Sequence, residues 1–329
     1  MASNHKSTTE YCFDPEFVIH EARQFVSQKK VLFVEGSSDV SYWQATKGPN
    51  EIRFRGLMGK ENLVDALKVY KNEGVDSQGR IAFCMDRDFD KFLPCQRHAE
   101  PYAYYQMCDR KFTGGYNDLE CFLISTECFD NVLTNYCGVI NKKKIRSIRE
   151  NIIEIAAIIG SYRLANRQVQ NNELSSEPFL YCYRTEYDID NKPHKRRSEI
   201  CVDFFLENNL IVYNKNMRSL SLDTVKADQL IDVYIKKPEC RPYIRRILNL
   251  AADYRRTAQR RDQNEIDYCR GHDLTELLFF LVSQKEFDCE FKSSSELENK
   301  LRDYPHDAKQ KDSYIEKIRE LEVNQFVKI

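Results

Sequence analysis

Apolar and polar positions along this chain follow two periods, and the periods predict its elements. Residues 31–34 (Val-Leu-Phe-Val) form a short unbroken apolar run, the pattern of a strand buried on both faces. Before it, Phe17, Val18, Ala22, Phe25 and Val26 recur at helical spacing, entered through Asp14-Pro15, an N-cap residue with proline in the first turn. After it comes a helix through Tyr42 and Trp43, and then residues 51–55 alternate as a more exposed strand does. Leu63, Val64, Leu67 and Val69 mark a helix over 60–72, a third strand starts at Ile81, and residues 102–107 predict a fourth. Strand and helix in alternation predict an α/β domain with a small parallel sheet flanked by helices.

From about residue 141 the pattern turns to helix after helix. Ile145, Ile148, Ile152, Ile155, Ala156 and Ile159 form one apolar stripe. Further helices are expected over 199–207, 223–235, 242–261, 273–283 and 313–322. Residues 168–176 read as a loop, 179–183 as a short strand and 192–197 as a basic turn. The expected organisation is therefore an α/β domain over 1–140, with an N-terminal helix, and a mainly α-helical C-terminal domain over 141–329.

Chemistry enters at the strand ends. The first strand stops at Glu35-Gly36, where glycine permits a sharp turn, and Ser37, Ser38 and Asp39 open the next helix. The Ile81 strand ends in Asp86-Arg87-Asp88. Alternate residues of an extended chain share a side, about 6–7 Å apart at Cα, so both carboxylates are expected to face one spot. In parallel sheets chemistry sits at the carboxyl ends of strands. Glu35, Asp86 and Asp88 together offer hard oxygen ligands suited to Mg2+ or Mn2+. The plainer reading of Glu35 is a polar cap at a strand end. Asp39 is either a further ligand or a first-turn acid favoured by the helix dipole. Asp118 starts a helix carrying Glu120 in its first turn.

Composition narrows the setting. The chain has 329 residues, with 50 basic against 51 acidic residues, so any basic surface is local rather than global. The first ten residues lack the apolar core of a signal peptide, and the longest apolar run is too short to span a bilayer, so a cytoplasmic protein without membrane attachment is expected. The twelve cysteines are scattered, without a Cys-x-x-Cys, and read as small apolar core residues. Cys269 and His272 make half of a zinc pattern with no second half.

The set Val34-Glu-Gly-x-x-Asp39, strand-borne Asp86-x-Asp88 and helix-borne Glu120 resembles the Toprim family of primases, topoisomerases and nucleases. Three further features, Asn117-Asp-Leu-Glu120, Ile158-Ile-Gly-Ser-Tyr-Arg163 and Gly271-His-Asp273, are similar to the Toprim subfamily that supplies AriB-like effectors of the PARIS anti-phage system. The resemblance implies a Mg2+-dependent nuclease, a toxic effector acting on host tRNA, an ATPase partner that holds it inactive, and a homodimer when active. The catalytic set it implies is Glu35, Asp39, Asp86, Asp88 and Glu120. No Gly-x-x-x-x-Gly-Lys-Ser/Thr loop is present, since Gly56-Leu-Met-Gly-Lys60 is too short, so an ATPase would come from another chain. Rival readings are a DNA endonuclease of the OLD kind and a non-catalytic subunit of an ATPase complex. Haloacid-dehalogenase phosphatases also use Asp-x-Asp, but on the first strand and followed by Thr or Val; here Phe89 follows.

Cations to offset developing charge are expected among Lys60, Lys91 and Lys111, with His272 a further candidate from the helical domain. For His272 the plainer reading is a helix entry, with Asp273 as cap and Glu276 closing a capping box. Along 241–261, Arg241, Arg245, Arg246, Arg256 and Arg260 oppose an apolar face and form the expected nucleic-acid surface. A solvated helix face, or a dock for an acidic partner, are the alternatives for that stripe.

Overall fold

The computed structural model describes residues 13–25, 30–45, 52–73, 81–83, 85–86, 88–89, 92–93, 117–175, 178–187, 193–234, 241–259 and 265–303. The expected strand over 102–107, the expected helix over 313–322, and Lys91, Lys111 and Arg260 lie outside these residues. The protein is mixed α/β and mostly helical, with a small parallel sheet. It divides into two compact units, one of residues 1–85 with 100–105 and 309–329, the other of 86–99 and 106–308.

In the first unit the order is α1 (Pro15–Phe25), β1 (Lys30–Val34), α2 (Ser37–Ala45), β2 (Ile52–Gly56), α3 (Lys60–Asn72) and β3 (Ile81–Phe83). The sheet runs β2-β1-β3 with every pairing parallel; Phe33 lies opposite Arg55 on one side and Phe83 on the other. The central position explains the unbroken apolar run, because Val31, Leu32, Phe33 and Val34 are all buried. One sheet face packs Val31, Phe33, Ile81 and Phe83 against Ile19 and Ala22 of α1 and Leu63, Val64 and Leu67 of α3. The Phe33 and Phe83 rings stack with centroids 5.2 Å apart. Each fully buried side chain of this kind contributes about 1.5–3 kcal/mol. Asp14 caps α1 as expected, accepting from the Phe17 amide at 3.0 Å.

The second unit is organised by α6 (Lys142–Asn172), 31 residues long. Before it come α4 (Leu119–Ser125) and α5 (Glu127–Tyr136); after it come β4 (Tyr181–Tyr187), β5 (Pro193–Glu199), α7 (Val202–Glu207), β6 (Ile211–Asn214), β7 (Ser219–Leu222) and α8 (Thr224–Tyr234). The described chain closes with α9 (Arg241–Ala258), a 3-10 turn at Glu265–Tyr268, α10 (Gly271–Val282) and α11 (Ser294–Asp303). Along its length α6 packs on α9, the 3-10 turn, α10 and β7. At Gly160 it comes so close to the 3-10 turn that an added Cβ would lie 1.7 Å from the Tyr268 carbonyl oxygen.

Several expectations are corrected here. Residues 168–172, expected as loop, continue α6, because Leu164, Ala165 and Val169 extend its buried face. The basic turn expected over 192–197 is largely strand β5, paired antiparallel with β4; its charged run carries no alternation, and the pairing comes from β4. The hairpin of β6 and β7 lies between the helices expected over 199–207 and 223–235, and Asn214 sets its turn by accepting from the Asn216 and Met217 amides at 3.1 and 3.2 Å. The change of pattern near residue 140 and the division into compact units after Met85 are different boundaries. Helices α4 and α5 precede the first yet pack with α10 and α11 of the second unit. Among the described residues no helix is long and apolar enough to cross a membrane.

Candidate functional site

The acidic residues expected to act together are divided between the units: Glu35 and Asp39 belong to the first, Asp86, Asp88 and Glu120 to the second. Glu35 follows the central strand directly and is half-buried. Gly36 then serves as the N-cap of α2, its carbonyl accepting from Val40 at 3.2 Å. Asp39 reaches back to the Gly36 amide at 2.8 Å, the acidic half of a capping box. One oxygen of the buried Asp39 carboxylate thus serves the helix start.

A second backbone segment is laid against Glu35. The Leu57 amide donates to the Val34 carbonyl at 3.0 Å, and the Gly59 amide to the Glu35 carbonyl at 2.8 Å. Two glycines make this possible. A Cβ on Gly56 would meet the Gly36 backbone at 2.9 Å, and Gly59 has φ of 124°, in the range L side chains rarely adopt. Asn62 holds the turn by donating to the Leu57 carbonyl at 2.7 Å. Lys60 opens α3 directly after this turn, and its N-cap Gly59 supplies no side-chain bond to the helix amides. Lys60 is thus tied by its neighbouring backbone to Glu35.

The second acidic stretch differs from expectation. β3 ends at Phe83, and Asp88 sits in a turn with φ of 50°, so Asp86 and Asp88 are not alternate residues of an extended strand. The Asp88 amide donates to the Asn117 carbonyl at 2.8 Å. Phe89 is buried and carries the Arg167 guanidinium 5.4 Å from its ring centroid. Asp86 and Asp88 are both half-buried. Glu35, Asp86 and Asp88 are thus all partly exposed carboxylates, a donor chemistry that suits a hard divalent ion.

Glu120 is engaged otherwise. Its buried carboxylate pairs with Arg302 of α11, which also binds Glu298. Glu298 in turn meets His272 Nδ1 at 3.1 Å and accepts from Thr275 Oγ1 at 3.3 Å. That hydrogen bond to Glu298 raises the His272 pKa above the usual histidine value despite partial burial. His272 thus belongs to the α10–α11 contact. Asp118 accepts from the Cys121 amide at 2.9 Å and, across the fold, from the Gly271 amide at 2.6 Å. Burial, and then the neighbouring Glu120 charge, push the Asp118 pKa up to about 6.

The cap expected of Asp273 is also corrected. Asp118 already takes the Gly271 amide, and Asp273 turns instead to Arg163, bonding it twice, at 2.6 and 3.1 Å. Arg163 is fully buried and also donates twice to the Ile200 carbonyl, at 3.1 and 2.8 Å. One turn along α6, Arg167 grips Glu199 with bonds of 2.7 and 2.9 Å. Burial opposes ionisation of Glu199, but Arg167 and Arg163 hold its carboxyl below the usual range. Asn117 ties in the 3-10 turn by donating to the Asp267 and Cys269 carbonyls, both at 2.7 Å. The segments containing Asn117, Arg163 and Gly271 thus meet in one packed knot. Arg167, Glu199 and Arg302 are its unanticipated members. The readable signal for Arg167 was a charge carried along α6 four residues after Arg163.

Among the described residues no group of three His, Cys, Asp or Glu side chains is gathered closely enough to hold a metal ion. Cys269 Sγ lies 3.5 Å from the carbonyl oxygens of both Ile153 and Glu265, either of which can accept its one S–H, while His272 turns to Glu298, so the half zinc pattern is taken up by structure. On α9, Ile244, Ile247, Ala251 and Ala258 are buried as the stripe predicts. The arginine face is partly neutralised: Arg246 pairs with Glu173 at 2.9 Å and Arg256 with Asp253. Arg241 and Arg245 are exposed, without an ion-pair partner among the described residues. The chain matches no protein-family model and no curated protein.

Proposed function

We propose that the chain is a divalent-metal-dependent nuclease of the Toprim type, and more narrowly an AriB-like effector that cleaves host tRNA. The observation that carries this reading is the parallel β1–β3 pairing, in which the central strand runs straight into Glu35 and the chain leaves β3 toward Asp86 and Asp88. Glu35, Asp86 and Asp88 are the residues that would hold Mg2+ or Mn2+, although no such group is gathered closely enough to do so among the described residues. Such an ion supplies a Lewis acid for a phosphodiester and a more acidic bound water. Within the protein, the Gly59–Glu35 backbone bond fixes the strand end, and Lys60 brings a cation to the start of α3. Arg241 and Arg245 offer forked donors to substrate phosphate. Glu120, Asp39 and His272 serve the framework in this reading. An ATPase partner restrains the nuclease until triggering, and the active form is a homodimer.

Expression of wild type and Glu35→Ala in bacteria, with growth and small-RNA integrity read together, tests the proposal. Growth arrest with tRNA fragments is expected for wild type alone. Chromosome damage with intact tRNA would transfer the reading to a DNA endonuclease. Equal behaviour of the two proteins would leave a non-catalytic subunit.

A further inference from the structure

Cys182 of β4 and Cys201, the residue before α7, lie with their sulfur atoms 3.5 Å apart. Both are buried and unoxidised. Their segments are held together by the β4–β5 ladder, in which Cys182 is opposite Ser198. Cys182 Sγ also donates to the Glu199 carbonyl at 3.2 Å, and Cys201 Sγ lies 3.9 Å from Asp203 Oδ2. A disulfide needs the sulfurs at about 2.05 Å, so closure asks for a shift of about 1.5 Å, within reach of side-chain rotation. Between the two cysteines runs Glu199–Ile200, the segment that holds Arg167 and Arg163.

We propose that Cys182 and Cys201 form a peroxide-responsive thiol pair that closes to an intramolecular disulfide. The Cys201 sulfur attacks one oxygen of hydrogen peroxide, the O–O bond breaks, and Cys201 becomes a sulfenic acid while one water is released. Asp203, whose Oδ2 lies 3.9 Å from the Cys201 sulfur, takes the thiol proton and returns it to the departing hydroxide, which leaves as that water. The Cys182 sulfur then attacks the Cys201 sulfur, the S–OH bond breaks, and the second water leaves with the Cys182 proton. Two thiols and one peroxide give one disulfide and two waters, the peroxide being reduced. Hydrogen peroxide is small enough to reach sulfurs that a bulky disulfide reagent would not. The cross-link ties both ends of the segment that carries the two arginine contacts.

Treating the purified full-length protein with hydrogen peroxide, blocking remaining thiols and mapping peptides without reductant tests the pair directly. The Cys182–Cys201 linked peptide is expected to exceed any pairing of cysteines that do not touch in the fold by about tenfold, because contact acts as a high effective concentration. In Cys182→Ser the second step is lost, and a dimedone adduct is expected on Cys201 instead. Dominant pairing of other cysteines, or oxidation of Cys201 to sulfinic acid with no linked peptide in wild type, would overturn the proposal. Peptide mapping of wild type needs no variant to fold, and it is independent of any nuclease activity.

Discussion

The turn after β1 and the knot around α6 both hold residues that stand out in the sequence, yet they use them in opposite ways. In the first, Glu35 stays partly exposed and is fixed through its backbone, by the Gly59 amide on its carbonyl. In the second, Arg163 and Asp273 are buried and spend their charges on each other. A partly exposed carboxylate at a strand end is open to solvent. A charge matched inside the fold is architecture, costly to disturb and closed to substrate. The contrast assigns Asn117, Asp118, Gly160, Arg163 and Asp273 to folding, and leaves Glu35 and its surroundings as the place to seek activity.

The contrast is broken most severely at Arg163. Replacing Arg163 by Met strands the Asp273 carboxylate and is expected to cost about 3–5 kcal/mol in urea unfolding. Adding Asp273→Leu should recover a large part of that loss, since the buried Asp273 charge is then no longer left without its arginine. A single variant within about 1 kcal/mol of wild type would show that the pair is not a linchpin. Gly160→Ala comes next. Its Cβ cannot coexist with the Tyr268 carbonyl, so α6 and the 3-10 turn must separate, at an expected cost of about 1–3 kcal/mol by the same measurement.

A smaller effect is expected from pH. Asp118 and His272 both have pKa values raised in the folded protein, so each binds its proton more tightly folded than unfolded. Their contribution is complete below the unfolded values and is lost as pH rises through the folded ones. Glu298, held below the usual carboxylate range, adds stability that is lost only on acidification. The melting temperature should therefore fall as pH is raised from about 5 to about 8, and His272→Gln should flatten the upper part of that decline. A melting temperature that climbs across this range would contradict the burial assigned to Asp118. Smaller still is the effect expected on α9. Replacing Arg241 and Arg245 by Ala should reduce the salt slope of RNA binding by about 0.7 for each phosphate no longer neutralised, whereas Arg246→Ala and Arg256→Ala should leave it unchanged. Equal slopes in all four variants would remove α9 from the nucleic-acid surface.

How much of this was legible depends on the range of the interactions involved. Local signals carried through: the apolar run of β1, the Asp14 cap and the Asp118 helix start are each settled within a few residues of sequence. Tertiary pairing did not. Strand β5 is a charged segment that becomes a strand because β4 lies beside it, and no period within 193–199 announces that. The roles of Glu120 and Asp273 were hidden for the same reason, since Arg302 and Arg163 lie 182 and 110 residues away. The turn at Asp88 defeats the alternation argument because a positive φ leaves no pattern in the identity of an aspartate. What the sequence did mark was a set of unusual residues, and only the fold separates those that build from those that can act.

Cleavage of tRNA by purified protein in Mg2+, read beside urea unfolding of the same samples, compares Glu35→Ala with wild type and tests the central claim most directly. Glu35→Ala is expected to abolish cleavage while staying within about 0.5 kcal/mol of wild-type stability, as a partly exposed residue outside the core should. Full cleavage by Glu35→Ala, or loss of cleavage matched by a large loss of stability, would contradict the account and place Glu35 among the residues that only build the fold.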